Sequence, residues 1–203
     1  MIRSQKCSVQ ALTLFLLGLM LPCAASATSV GRYTEYLPAG DLALGIEPEV
    51  VLTTSSGAGA EIRYAQGITD LNNFHVVLGT GSGSRAFRVG GALTFDFFPD
   101  MDGQPGIGIA TQGLYVRKDT RGRFELNAVP YIGKTFESKG EDVKPYFGMP
   151  VGFAFADSRY DTNLQAAIGT IFKASSHLHY GVELGIDVSK SYSYISAAVT
   201  YIP

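Results

Sequence analysis

The sequence has no tryptophan and only two cysteines among its 203 residues. Both, Cys7 and Cys23, lie before residue 28, so the rest of the chain is stable without disulfides even if it reaches an oxidising compartment. Charge is scarce as well: 17% of residues are Asp, Glu, Lys or Arg, against roughly 25% in an ordinary globular domain. Sixteen Lys and Arg against eighteen Asp and Glu leave a formal charge of −2. That excludes a nucleic-acid binder working through bulk positive charge, and a highly charged disordered chain. No stretch after residue 28 approaches the ~18 consecutive apolar residues of a membrane helix.

The chain begins as an exported protein does. Arg3 and Lys6 give a positive start, residues 11–21 (ALTLFLLGLML) an apolar run, and Ala25-Ser26-Ala27 an A-x-A cleavage site. This is the layout of a secretory signal peptide. Pro22 before Cys23 disfavours lipoprotein processing. The expected organisation is a cleaved leader over 1–27, a lead segment over 28–40 and one domain over 41–203.

What fills that domain is period-two alternation. Leu42, Leu44, Ile46, Val50 and Leu52 share one face against Gly45, Glu47, Glu49 and Thr53. Ala60, Ile62, Tyr64 and Ile68 oppose Gly59, Glu61, Arg63 and Gly67, and the pattern recurs to Ile195, Ala197, Val199 and Tyr201. Such alternation marks half-buried strands, and ten are expected, with eight or twelve as alternatives. Around Gln112-Gly113 the apolar residues change face, from Ile107 and Ile109 to Leu114 and Val116, which predicts a β-bulge. Short links rich in Gly, Ser, Asp and Asn leave room only for antiparallel neighbours. The fold expected is an all-β, up-and-down antiparallel barrel, closed so that no edge is exposed.

Alternation does not say which face points out. The polar faces are lined by glycines, among them Gly45, Gly79, Gly133, Gly148, Gly169 and Gly185, which inside a narrow barrel make space for larger polar neighbours. The apolar faces carry large side chains, too many for one lumen, with aromatics such as Phe74, Phe97, Phe136, Phe155 and Tyr201 towards strand ends. Aromatic girdles flank the apolar band of lipid-facing barrels, and a closed barrel satisfies every backbone polar group in hydrocarbon. On this pattern the chain resembles the small outer-membrane β-barrel proteins of Gram-negative bacteria. The resemblance rests on no specific motif, and the chain ends at Pro203 rather than on a terminal aromatic. It implies insertion into the cell outer membrane by the barrel-assembly machinery, among outer-membrane lipids and lipopolysaccharide.

The inward face is expected to hold a polar network of Glu47, Glu49, Glu61, Arg63, His75, Arg88, Asp96, Glu125, Glu183 and Asp187, since buried charges need partners. With both termini on the periplasmic side, the outer rim carries Arg85, Arg117, Lys118, Arg121 and Arg123, suited to pair with lipopolysaccharide phosphates. His177 and His179 are an incomplete metal set, and Asp100-Met101-Asp102-Gly103 reads as a turn rather than a calcium loop. Neither a metal nor a cofactor is expected. Enzymes on this architecture would need an Asp-x-His pair or a His-x-Ser triplet, and His177 is followed by Leu178-His179. The reading is a structural or narrow-channel protein without catalysis. Two alternatives are a lipid A- or phospholipid-directed enzyme and a secreted or periplasmic lipid-binding barrel.

Overall fold

A computed structural model describes residues 29–203 except 36, 54–55, 84–85, 102, 119–120, 139–140 and 157–158; of residues 118, 121, 138, 141 and 159 only the backbone is described. The leader expected over 1–27 therefore lies outside the described residues. A single 3-10 turn, η1 (Gly31–Tyr33), precedes β1 (Leu42–Val51), β2 (Gly57–Thr69), β3 (Asn72–Gly81), β4 (Phe87–Phe98), β5 (Gly106–Lys118) and β6 (Arg121–Gly133). Then come β7 (Phe136–Ser138), β8 (Glu141–Gly148), β9 (Val151–Ala156), β10 (Arg159–Lys173), β11 (Leu178–Ser189) and β12 (Tyr194–Tyr201).

Twelve segments make ten strands. β7 continues β6 past Lys134-Thr135: Tyr131 faces Gly148 and Phe136 faces Val143 in one register against the same neighbour. β8 and β9 are likewise one strand, interrupted at Met149-Pro150, where proline brings no N–H to the ladder. Each strand pairs antiparallel with the next, and β12 returns to β1 with Leu44 opposite Tyr201 and Val50 opposite Ile195. The barrel is closed with ten antiparallel strands.

Orientation is settled by neighbouring residues. Ile62 is 55% exposed and Glu61 beside it 4%; Leu44, Phe74, Leu93, Phe153 and Ile195 also face outward, while Arg63, His75, Arg88 and Glu183 are buried. The outer surface is therefore a belt of large apolar side chains, the inner one polar. That surface suits acyl chains rather than water.

The expected bulge at Gln112-Gly113 is not there. β4 and β5 pair without interruption from Phe87–Arg117 to Asp96–Gly108, and the register slips only between Asp96 and Phe98. Leu114 and Val116 keep β5 in phase by pointing inward, where they pack on Val77. The lumen thus contains an apolar pad, and large apolar residues on β5 do not by themselves mark the lipid face.

Candidate functional site within the barrel

The lumen is filled by the chain's own N-terminal segment. Asp41, just before β1, sits at the rim that also holds the C-terminus, and the Gly40 N–H donates to the Gly67 carbonyl there. Preceding that point, Leu37, Thr34, Tyr33, Arg32, Gly31, Val30 and Ser29 are all buried. Within the lead segment expected over 28–40, residues 29–34 and Leu37 are thus buried in the lumen, whereas Pro38, Ala39 and Gly40 are exposed. Val30 and Tyr33 pack with Ala92, Ala110, Val129, Tyr131, Tyr146, Ala167 and Ile171 into one apolar cluster inside the barrel.

Two small residues make that seat. A Cβ on Gly148 of β8 would lie 2.4 Å from Val30 Cγ1, and one on Gly31 would lie 2.4 Å from the Tyr146 hydroxyl. Neither position has room for a side chain while the segment is in place. Gly169 and Gly185 similarly make way for the rings of Tyr146 and Tyr194.

Polar contacts then tie the segment to several strands of the wall. The backbone N–H of Val30 and that of Gly31 donate to the Glu183 carboxylate of β11, at 3.0 and 2.7 Å. Arg32 pairs with Glu61 of β2 and lies 3.5 Å from Glu47 of β1. The Tyr33 hydroxyl accepts from Gln112 of β5 at 2.7 Å, and its ring meets His75 of β3 edge-on at 5.2 Å. Lys144 of β8 donates to the Thr34 carbonyl at 2.6 Å. Glu35 takes Arg63 at 3.2 Å and His179 at 2.8 Å.

Of the residues expected in the polar network, Glu47, Glu49, Glu61, Arg63, His75, Arg88, Glu125 and Glu183 are buried in the lumen. Arg88 lies between Glu49 and Glu61, at 3.3 and 3.5 Å. Asp96 is half-buried and accepts the Tyr131 hydroxyl at 2.7 Å. Asp187 belongs to the rim instead: it is exposed, and its carboxylate receives the Ser191 N–H at 2.9 Å. The β11 strand has emerged from the lumen by that point, so alternation continues where burial has ended.

At the rim opposite the termini, Arg117 is exposed, but Arg123 turns inward to Glu125. Arg85 and the side chains of Lys118 and Arg121 lie outside the described residues. At the other rim, His177 bonds the Ile202 carbonyl. Asp100 is held by Lys134 at 3.2 Å and by the Thr135 hydroxyl and amide. Burial raises the Asp100 pKa, but the Thr135 and Lys134 bonds outweigh it and leave the carboxyl below its ordinary range. Among the described residues no three His, Cys, Asp or Glu side chains cluster as a metal site.

Residues 29–35, Gln112, Lys144, Tyr146, His179 and Tyr194 escaped the sequence reading as site residues. One signal was available: inward acids outnumber inward bases on the strands, so a cation had to come from elsewhere, and Arg32 is that cation.

No protein-family model and no curated protein matches the sequence. Among solved structures, the barrel is similar to an outer membrane channel from Pseudomonas putida F1, at a TM-score of 0.52 and 8% identity, covering 87% of this chain and all of that one. Two designed transmembrane β-barrels also align, each at a TM-score of 0.38, with 11% and 15% identity; they cover 83% and 81% of this chain, and 100% and 94% of their own. The likeness is one of fold, and with the apolar outer surface it makes this chain a membrane β-barrel.

Proposed function

We propose that this protein is an outer-membrane barrel closed at rest by its own N-terminal segment. Its role is structural, or that of a narrow path for ions and small solutes when the segment leaves, and it performs no catalysis. The observation that carries the reading is the burial of residues 29–35 at mid-lumen, bonded to β1, β2, β5, β8 and β11. Ten strands enclose little space, whereas wide aqueous channels typically have 16–18, so one short segment suffices to close it.

The three histidines favour no catalytic arrangement: His179 is engaged by Glu35, His177 by a backbone carbonyl, and His75 by the Tyr33 ring. Planar-bilayer recording of the full chain and of a chain lacking residues 29–37 tests the reading. The full chain is expected to be silent or nearly so, and the deletion to conduct in small steps. Large steps from the full chain would overturn closure by the segment; silence from a folded deletion would leave only the structural role.

A further inference from the structure

Between the N-terminal segment and the rim that holds the termini lies a cavity of about 430 Å³, within the roughly 300–1,000 Å³ of small-molecule sites. Thr34 and Glu35 of the segment bound it on the lumen side, and Pro99 and Asp100 of the β4–β5 link bound it on the rim side. That link is folded onto the wall by Lys134 and Thr135, both bonded to Asp100. Outward neighbours on the strands, Phe95, Phe172 and Tyr180, separate the cavity from the apolar belt, so it opens to water rather than to acyl chains.

Four carboxylates line this space, Glu35, Asp70, Asp96 and Asp100, against the ammoniums of Lys144 and Lys173. Most of these charges are engaged. Glu35 takes Arg63 and His179, Asp100 takes Lys134 and lies 3.5 Å from Lys144, and Lys173 is 3.8 Å from Asp142. Lys144 also donates to the Thr34 carbonyl. Asp70 and Asp96 make no ion pair among the described residues. One Asp96 oxygen accepts the Tyr131 hydroxyl, and the Asp96 N–H donates to the Leu71 carbonyl at 2.8 Å, which sets the turn carrying Asp70 beside it.

His179 supplies a third acceptor. It is 8% exposed, and its Nδ1 meets the Glu35 carboxylate at 2.8 Å. A carboxylate can only accept, so Nδ1 carries the hydrogen, and in the neutral ring Nε2 is left as a bare lone pair. That nitrogen has no hydrogen-bond partner among the described residues, on a ring that lines the cavity. Two uncommitted carboxylates and a lone pair call for a cation that donates several N–H bonds. The space is far larger than a bare ion needs, and the described residues hold no metal-binding cluster. We propose that this vestibule binds a small organic amine, as its ammonium, from the aqueous compartment at this rim, and that the bound amine fastens the closing segment. Thr34 and Glu35 are part of the cavity wall, so a ligand held there favours the state in which the segment is in place. Only this second half rests on the reading of residues 29–37 as the closing element.

Titration calorimetry of the folded chain in detergent tests the site, with putrescine, a four-carbon diamine, as the probe. The controls are 1,4-butanediol and sodium chloride at matched ionic strength, and saturable heat is expected from putrescine alone. D96N removes the charge while keeping an acceptor for the Tyr131 hydroxyl, and should weaken binding about tenfold. D70N, at an exposed position, should weaken it about two- to fivefold. The heat-modified gel form shows that each variant is folded. Absence of saturable heat would overturn the site, and so would equal binding of butanediol or undiminished binding by a folded D70N/D96N chain. Putrescine should also raise the temperature at which the heat-modified form is lost, and the chain lacking residues 29–37 should bind it about tenfold more weakly or not at all. Unchanged binding by that deletion would overturn the link to the segment. A full chain that conducts in bilayers yet binds putrescine would remove closure by the segment and leave the site standing; a silent full chain that binds none would do the reverse.

Discussion

Arg32, from the segment that precedes the first strand, is ion-paired with Glu61 of β2 at the middle of the lumen, and both side chains are 5% exposed. The pair ties a non-barrel residue to the barrel wall, and Glu47 approaches the same guanidinium from β1.

Removing the cation should therefore do more than loosen the segment. Arg32→Ala takes from Glu47 and Glu61 the guanidinium that both approach, while Arg88 stays beside Glu61. Breaking a buried pair from one side typically costs about 3–5 kcal/mol. The expected outcome is a markedly lower midpoint for loss of the heat-modified form on gels. Adding E61Q should recover part of the loss, because the two changes share one interaction. A midpoint in Arg32→Ala equal to that of the parent chain would show that the pair does not hold the segment.

Displacement without any change of charge comes from Gly148. Any side chain there meets Val30 Cγ1, and the backbone of β8 is fixed by β6 and β10. Overpacking of this kind costs about 1–3 kcal/mol, and the segment is easier to move than the strand. Gly148→Val is expected to conduct in bilayers as the 29–37 deletion does while still migrating as a folded barrel. The same change made in the deletion chain should have no further effect on conductance.

The basic rim separates into two arginines with different work. Arg117 is exposed, whereas Arg123 is turned to the buried Glu125. If the rim meets lipopolysaccharide phosphates, Arg117→Glu should weaken that association about two- to fivefold, the range of one exposed ion pair, with more effect at low salt. Arg123→Glu instead sets two carboxylates against each other and should lower heat resistance. Co-purified lipopolysaccharide, quantified per barrel for each variant, checks the division. No change with Arg117→Glu would remove this arginine from the contact.

The strands were legible because alternation and an apolar outer surface demand the same pattern: Leu44 and Ile46 are exposed outside, and Glu47 and Glu49 are buried inside beside Arg32 and Arg88. Leu114 and Val116 were misread for the converse reason. Period two reports that two residues share a face, not which face, and an apolar pad around Val77 rewards burial inside. Residues 29–35 were illegible as part of the site because a segment with only one 3-10 turn is too short to show a period. Its fit depends on small residues far along the chain, Gly148 and Gly169, and on Glu183, which lies 152 residues beyond Gly31. Likewise, Asp187 keeps strand phase after β11 has left the lumen, so its exposure depends on barrel height rather than on local sequence.

At the rim that holds the termini, the β4–β5 link is fastened by Asp100 to Lys134 and Thr135, where β6 gives way to β7. These contacts hold the Asp100 pKa below its ordinary value despite burial. A carboxylate whose pKa is lower in the folded than in the unfolded state contributes stability that is complete above about pH 4, where a free aspartate is ionised, and is lost as pH falls through the lowered value. The link should therefore resist proteolysis at neutral and mildly acidic pH and become sensitive only in stronger acid. Asp100→Asn abolishes the charge at every pH, so its cleavage rate should be raised at neutral pH and should not change further on acidification. Limited proteolysis with an acid-tolerant protease, followed by mapping of cuts within residues 99–105, measures both. Equal protection in Asp100→Asn at neutral pH would mean that the backbone of the turn, with Gly103 at φ +84° and Met101 bridged to Gln104, holds its shape without the carboxylate.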